Sequence, residues 1–263
     1  MQDRPIVMTF AGHDPSGGAG LQADIETLAS QGCHATPVIT ALTIQDTRDV
    51  IDFTPVAPAH VISQARAVLE DMPVAAFKIG MLGSIETVEV IHSILQDYPG
   101  IPLVLDPVLR SGQGTNLGGQ DIIEAMKSLL LAHTTVLTPN SQEARELAPE
   151  ADTLDACGIA LLAHGTEYVL ITGTHENTPH VINSLYNGHR RLETFTWERL
   201  PHVYHGSGCT LAAGIAGLLA HGLEPFAAIH EAQDFTWKAL QHGYRPGMGQ
   251  HLPDRLFWSR QKD

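Results

Sequence analysis

With 263 residues and a formal charge of −14, from 15 basic against 29 acidic side chains, the chain is long enough for one large α/β domain or two small ones. The acidic balance argues against nucleic acid as a partner, and 43% hydrophobic with only 17% charged residues points to a sizeable core. No run reaches the length of a membrane span and the first ten residues hold no long apolar stretch, so no membrane partner is expected. Cys33, Cys157 and Cys209 are widely spaced, with no C-x-x-C or H-E-x-x-H pattern. That excludes a familiar zinc site and fits a reducing, cytoplasmic setting.

An apolar run over 5–10 predicts a buried strand. His13 to Gly20 then reads as a loop, and Leu21, Ile25 and Leu28 as a helix that stops at Gly32. Gly17, Gly18 and Gly20 lack the G-x-G-x-x-G order of a dinucleotide fingerprint. Residues 36–44 predict a second strand, ending at Gln45. The prolines at 55 and 58 break the chain before a helix over 59–69. A strand over 74–79 leads into Gly80-Met81. Ser84 is placed to cap a helix whose buried face is Ile85, Val88, Ile91 and Leu95. A strand over 102–105 ends at Asp106-Pro107, and the stretch 110–119 is mobile by composition. A helix over 122–131, a strand over 135–138 and a short helix carrying Glu143 in its first turn follow. Next come a helix over 153–164, a strand over 168–171 that ends in Thr172-Gly173-Thr174, and a hairpin of 181–186 with 192–197 about Asn187-Gly188. The last predicted helix is 226–241, with an irregular tail.

Strand and helix alternate through most of the chain. The fold class is therefore α/β: a mostly parallel sheet with helices on both faces, one domain over 1–263, and a hairpin near the C-terminal third. Ligands bind beyond the carboxyl ends of strands in such sheets. Gln45, Asp106, Asn140, Thr172 and Cys209 all fall at or after strand ends, which points to one shared site.

The segment His205-Gly206-Ser207-Gly208-Cys209-Thr210, followed by LAAGIAGLLAHG, carries the chemistry. Two glycines around a serine before a helix form an anion-binding turn, because the first N–H groups of a helix have no intrahelical partner. Cys209 stands where the helix field favours a thiolate, and a lowered thiol pKa is expected. Asp106 is a candidate magnesium ligand or a loop cap. Asn140 with Glu143 reads either as a metal-orienting pair or as a capping box. Cys33 and Cys157 read as inert packing, and the other histidines as loop or surface residues. Neither G-x-x-x-x-G-K-[ST] nor G-x-S-x-G is present.

AGHDPSGGAGLQAD, ALTIQDT, KIGML, LVLDPV, LTPNSQEA and HGSGCT, in this order, closely resemble the bacterial hydroxymethylpyrimidine/phosphomethylpyrimidine kinases of thiamine biosynthesis, in the ribokinase superfamily. The resemblance runs from Ile6 to the last helix. It implies a ribokinase-like three-layer α/β/α sandwich. It also implies transfer of the γ-phosphoryl of ATP, with Mg²⁺, to 4-amino-5-hydroxymethyl-2-methylpyrimidine and then to its monophosphate. By resemblance Gln45 reads the pyrimidine, while Gly12, Asp24, Met81 and Val108 line its pocket. Gly206, Ser207 and Gly208 match the anion hole, and Cys209 the base for the alcohol step. Asp106, Asn140, Glu143, Thr172 and Gly173 match the ATP region, with Asp106 and Glu143 toward the metal.

Thr172-Gly173-Thr174-His175 departs from a Lys-Gly-Gly-His segment common in that family, and Ser207 replaces a usual threonine. Arg110 is a candidate for the missing positive charge. A homodimer is expected, with Trp197 and the hairpin as a candidate apolar edge. The rival readings are a pyridoxal or pyridoxine kinase on the same scaffold and a non-catalytic pyrimidine-binding protein.

Overall fold

The computed structural model describes residues 4–110, 114 and 117–260. The expectation of a mobile stretch at 110–119 falls partly on residues outside these. In chain order the elements are β1 (Ile6–His13), α1 (Gly20–Ser30), β2 (His34–Gln45), β3 (Val50–Pro55), α2 (Pro58–Leu69), β4 (Val74–Ile79) and α3 (Ile85–Asp97). Then follow β5 (Leu103–Leu105), α4 (Gln120–Leu129), β6 (Val136–Leu137), α5 (Ser141–Leu147), α6 (Leu154–Leu162), β7 (Tyr168–Ile171), β8 (His180–Asn187), β9 (Arg190–Glu198), α7 (Ser207–Ala220) and α8 (Pro225–Gln241).

The nine strands among the described residues join one sheet in the order β3-β2-β1-β4-β5-β6-β7-β8-β9. Pairing is parallel from β2 through β7 and antiparallel at both ends. Chain order runs outward from β1 to β2 and then crosses back to β4. The gap between β1 and β4 is thus a topological switch point, where a crevice opens beyond the strand ends.

Consecutive residues of a strand point to opposite faces, and the parallel strands are apolar on both. Met8, Phe77, Leu103 and Leu137 face a core covered by α2 to α6. Val7, Ala76, Val104 and Val136 face a second core under α1, α7 and α8. The result is the α/β/α sandwich expected from the sequence. Helix α7 packs close to α1 where it carries glycine: a Cβ at Gly217 would meet Oε1 of Gln31, the C-cap residue of α1, at 2.1 Å. Ser84 caps α3 by accepting from the Thr87 N–H, as its position predicts.

Two elements differ from the sequence reading. Strand β3 was hidden by its composition. It is an edge strand in which only Val50 is buried, so it shows no hydrophobic alternation, and it exists through pairing with β2. The hairpin turn sits one residue later than Asn187-Gly188. Asn187 pairs with Arg190, and Gly188 and His189 occupy the turn at φ 58° and 62°. Both central residues of such a turn need positive φ, so the glycine takes the first central position rather than the second.

Trp197 does not form the exposed edge considered above. It is half-buried and stacked on Trp237, and its indole N–H donates to Gln233. The hairpin itself carries exposed Ile182 and Leu192, and the opposite sheet edge carries the more exposed Leu42, Ile44 and Ile51. No helix among the described residues is long and apolar enough to cross a membrane.

Candidate active site

A cavity of about 700 Å³ opens beyond the carboxyl ends of the parallel strands. Gln45, Gly12, Met81 and Val108 line one part of it, Thr172, Asn140 and Glu143 another. Gly206, Ser207, Gly208, Cys209 and Asp106 also belong to its wall. Strand ends and one helix start deliver all of these, so residues far apart in sequence converge because the strands are parallel.

Two residues from the sequence reading are not on this wall. Asp24 is fully buried beneath it, ion-paired to Lys78 with Nζ 2.9 Å from Oδ1 and 3.1 Å from Oδ2. It lies on the inner face of α1, which faces the sheet rather than the cavity. Gly173 also lies behind the wall: its N–H donates to Asn183 Oδ1 at 3.1 Å, and a Cβ there would meet Ile182 O at 2.1 Å. Its neighbours Thr172 and Thr174 do line the cavity.

The anion turn is built as its sequence suggests. Gly206 caps α7 at φ 84°, a left-handed conformation that favours glycine. A Cβ there would also overlap Gly18 O at 1.8 Å. The helix ladder starts with Thr210 N–H to Gly206 O, which leaves the N–H groups of Ser207, Gly208 and Cys209 without intrahelical acceptors. They sit at the positive end of a 14-residue helix.

The expected low thiol pKa is overturned. Burial pushes the Cys209 thiol up to about 12; Lys78 opposes this, but Asp106 and Asp24 add to it. The helix start does not win because Cys209 opens only to the cavity and two carboxylates stand close by. Asp106 stands beside Cys209, its carboxylate oxygens 3.8 Å from where a Cβ on the preceding Gly208 would stand.

Asn140 and Glu143 do form a capping box. Asn140 Oδ1 accepts from the N–H groups of Gln142 and Glu143, and Glu143 Oε2 accepts from Asn140 N–H at 2.9 Å. The cap does not exhaust Glu143, which is buried on the cavity wall. Burial pushes its pKa up to about 8, with the charge of Asp106 adding to the effect. Burial likewise pushes Asp106 up to about 6, against the pull of Lys78. Among the described residues no three His, Cys, Asp or Glu side chains converge as a metal cage. Two crowded carboxylate oxygens nevertheless fit Mg²⁺, which keeps several waters and takes one or two carboxylates beside substrate phosphates.

Arg110, the candidate for the missing positive charge, lines the cavity and is also held by an acidic neighbour. Arg110 pairs with Glu146 at 2.7 Å. Arg199, on the same stretch of wall as Thr174 and His175, donates to the carbonyls of Thr174, Glu176 and Thr178 and so holds that loop in place.

Lys78 was missed by the sequence reading, although a lysine closing the apolar strand VAAFKI is a legible oddity. It is buried, and its ammonium faces the strand-end carboxylates. Burial opposes its charge, but Asp24, Cys209 and Asp106 more than compensate, so it stays protonated above its ordinary range. Burial also pushes Asp24 up while Lys78 pulls it back. The contacts of 2.9 and 3.1 Å identify an ionised pair. Gly80 makes room for it, since a Cβ there would lie 2.8 Å from Nζ. The tail was also underestimated. Arg255 is buried and donates to Thr210 Oγ1, Gly18 O and Glu26, tying the C-terminus to both glycine-rich segments.

Comparison with known proteins identifies the family. The family model for phosphomethylpyrimidine kinase matches residues 14–254. The hydroxymethylpyrimidine/phosphomethylpyrimidine kinase of Synechococcus elongatus is 40% identical over 94% of the chain and 95% of that protein. Its Haemophilus influenzae counterpart is 35% identical over 97% of each. Among solved structures, the ADP complex of Bacillus subtilis pyridoxal kinase superposes with a TM-score of 0.90 at 26% identity, covering 98% of this chain and 100% of that one. The phosphomethylpyrimidine kinase of Clostridium difficile gives 0.78 at 31% identity, covering 90% and 100%. With the match spanning both glycine-rich segments and nearly every strand end between them, the chain belongs to the phosphomethylpyrimidine kinase family.

Proposed function

We propose that the chain phosphorylates 4-amino-5-hydroxymethyl-2-methylpyrimidine from ATP and then phosphorylates the monophosphate, supplying the diphosphate for thiamine diphosphate synthesis. The observation that carries this reading is the single cavity joining Gln45 and Met81 to the α7 anion turn and to Asp106 and Glu143. An amide such as Gln45 can both donate to a ring nitrogen and accept from an exocyclic amine. Gly12 lets the ring lie against β1, where a Cβ would stand 3.1 Å from Met81 Sδ.

Phosphoryl transfer needs positioning and neutralised charge more than covalent help. The free N–H groups of Ser207, Gly208 and Cys209 hold the moving phosphoryl oxygens. Asp106 and Glu143 would hold Mg²⁺, which would supply charge neutralisation to the ATP phosphates. The alcohol of the first step must lose a proton; Cys209, at the helix start, takes it as its own thiol proton passes to the neighbouring Asp106 carboxylate. The second step attacks with a phosphate oxygen already ionised and needs no base. The protein works in the cytoplasm, as one domain and as a homodimer. Leu42, Ile44 and Ile51, 51%, 60% and 73% exposed on the β2–β3 edge, support the dimer.

Pyridoxal phosphorylation is the second reading, favoured by the TM-score of 0.90 to a pyridoxal kinase. ATP consumption measured with hydroxymethylpyrimidine, pyridoxal and pyridoxine, with products identified by mass, separates the two. Turnover of pyridoxal without turnover of the pyrimidine overturns the first.

A further inference from the structure

The two glycine-rich segments that distinguish this chain meet through one side-chain contact across 191 positions: His205 Nε2 lies 2.9 Å from Asp14 Oδ2. Asp14 is prepared for this contact. Its Oδ1 accepts from the Ser16 N–H at 2.8 Å, and its Oδ2 from the N–H groups of Gly18 and Ala19 at 3.1 and 2.8 Å. Burial works against its charge, but the hydrogen bonds from His205 and Ser16 and the attraction of His205 hold its pKa down at about 2. It is a permanent carboxylate with only 2% of its side chain exposed.

The imidazole is fixed on its other sides too. A Cβ at Gly18 would lie 2.3 Å from His205 Cδ2, so a side chain at position 18 would displace the ring. The His205 backbone N–H donates to His251 O at 2.9 Å. The ring lines the cavity directly before the Gly206 turn, and it also borders a small recess shared with Gln45 and Gln250. It therefore borders the same spaces as Gln45, the residue proposed to read the pyrimidine, and adjoins the turn proposed to read phosphate. With Nε2 committed to Asp14, the unused ring nitrogen is Nδ1, which has no protein partner among the described residues.

An imidazole with a fixed carboxylate on one nitrogen is poised to hold a proton on the other when an anion arrives there. A neutral hydroxymethyl group gains only an ordinary hydrogen bond from it, whereas a phosphate monoester gains a charge-assisted one. On the proposed two-step reaction, we propose that His205, oriented by Asp14, is the residue that recognises the phosphate of the second-step substrate, and so sets the affinity for the pyrimidine monophosphate relative to the alcohol. His205 acts as the binding group and Asp14 as its positioning residue.

The test measures KM and kcat for each pyrimidine separately in the wild type, His205→Gln, His205→Lys and Asp14→Asn, with melting temperatures alongside. His205→Gln is expected to raise KM for the monophosphate roughly 10- to 100-fold, the value of one charge-assisted hydrogen bond. KM for the alcohol moves by a much smaller factor. His205→Lys, which restores a cation, recovers most of the lost affinity, and Asp14→Asn falls between. Equal changes in the two KM values, no recovery with lysine, or unfolding of both His205 variants would make the pair a strut between loops and overturn the inference. Failure of the wild type to turn over either pyrimidine would instead overturn the proposed function.

Discussion

Replacing Lys78 with methionine isolates the buried charge that the strand-end carboxylates depend on. Lys78 and Asp24 are each 0% exposed and 2.9 Å apart. Methionine follows the unbranched stem of lysine past Gly80, so the substitution removes charge with little change in shape. It strands Asp24 among apolar groups, and breaking one side of such a pair costs about 3–5 kcal/mol. For a chain of this size each kcal/mol lowers Tm by about 2–4 °C, so Lys78→Met should melt roughly 6–20 °C early. Asp24→Leu alone strands the ammonium, with a loss of similar size. The double variant leaves neither partner of this pair stranded, and apolar replacement of a buried pair is often neutral or stabilising, so its loss should be well below the sum of the two single losses. Thermal and urea melts of the four proteins close the cycle. If the single losses simply add in the double variant, or if Lys78→Met lies within about 1 kcal/mol of wild type, the pair is not ionised and the reasoning fails.

Cys209→Ala should slow phosphorylation of the alcohol about 100-fold or more while the monophosphate step suffers far less, as assayed step by step; equal losses remove the base assignment. Gly206→Ala should weaken both steps and cost about 2–4 kcal/mol of stability in urea melts, because φ is 84° and the added carbon overlaps Gly18 O. The carboxyls of Asp106 and Glu143, raised to about 6 and 8, bind protons more tightly folded than unfolded. Without metal, their contribution to stability should therefore fall as pH rises from the ordinary carboxylate range to about 8. Mg²⁺ should then raise Tm more at pH about 8 than at pH about 6. A metal effect independent of pH argues against these two ligands.

Much of this protein was legible in one dimension because its local rules agree with its fold. Apolar runs bounded by glycine and proline located all the parallel strands. Ser84 and Asn140 marked helix starts, and the position of polar residues after strands located the site, since parallel strands bring their ends to one edge. The HGSGCT turn was readable because positive φ and free helix N–H groups are local properties. What tertiary structure decided was set by neighbours distant in the chain. Strand β3 exists only through its partner. Asp24 turns from the cavity because Lys78, 54 positions away, meets it in the core. The thiol of Cys209 is raised rather than lowered because the fold buries it, with Asp106 and Asp24 from other elements adding to the effect. His205 reads as one histidine among 15 until the fold sets it against Asp14. Backbone conformation follows from nearby residues, but charge and solvation depend on whatever the fold packs alongside.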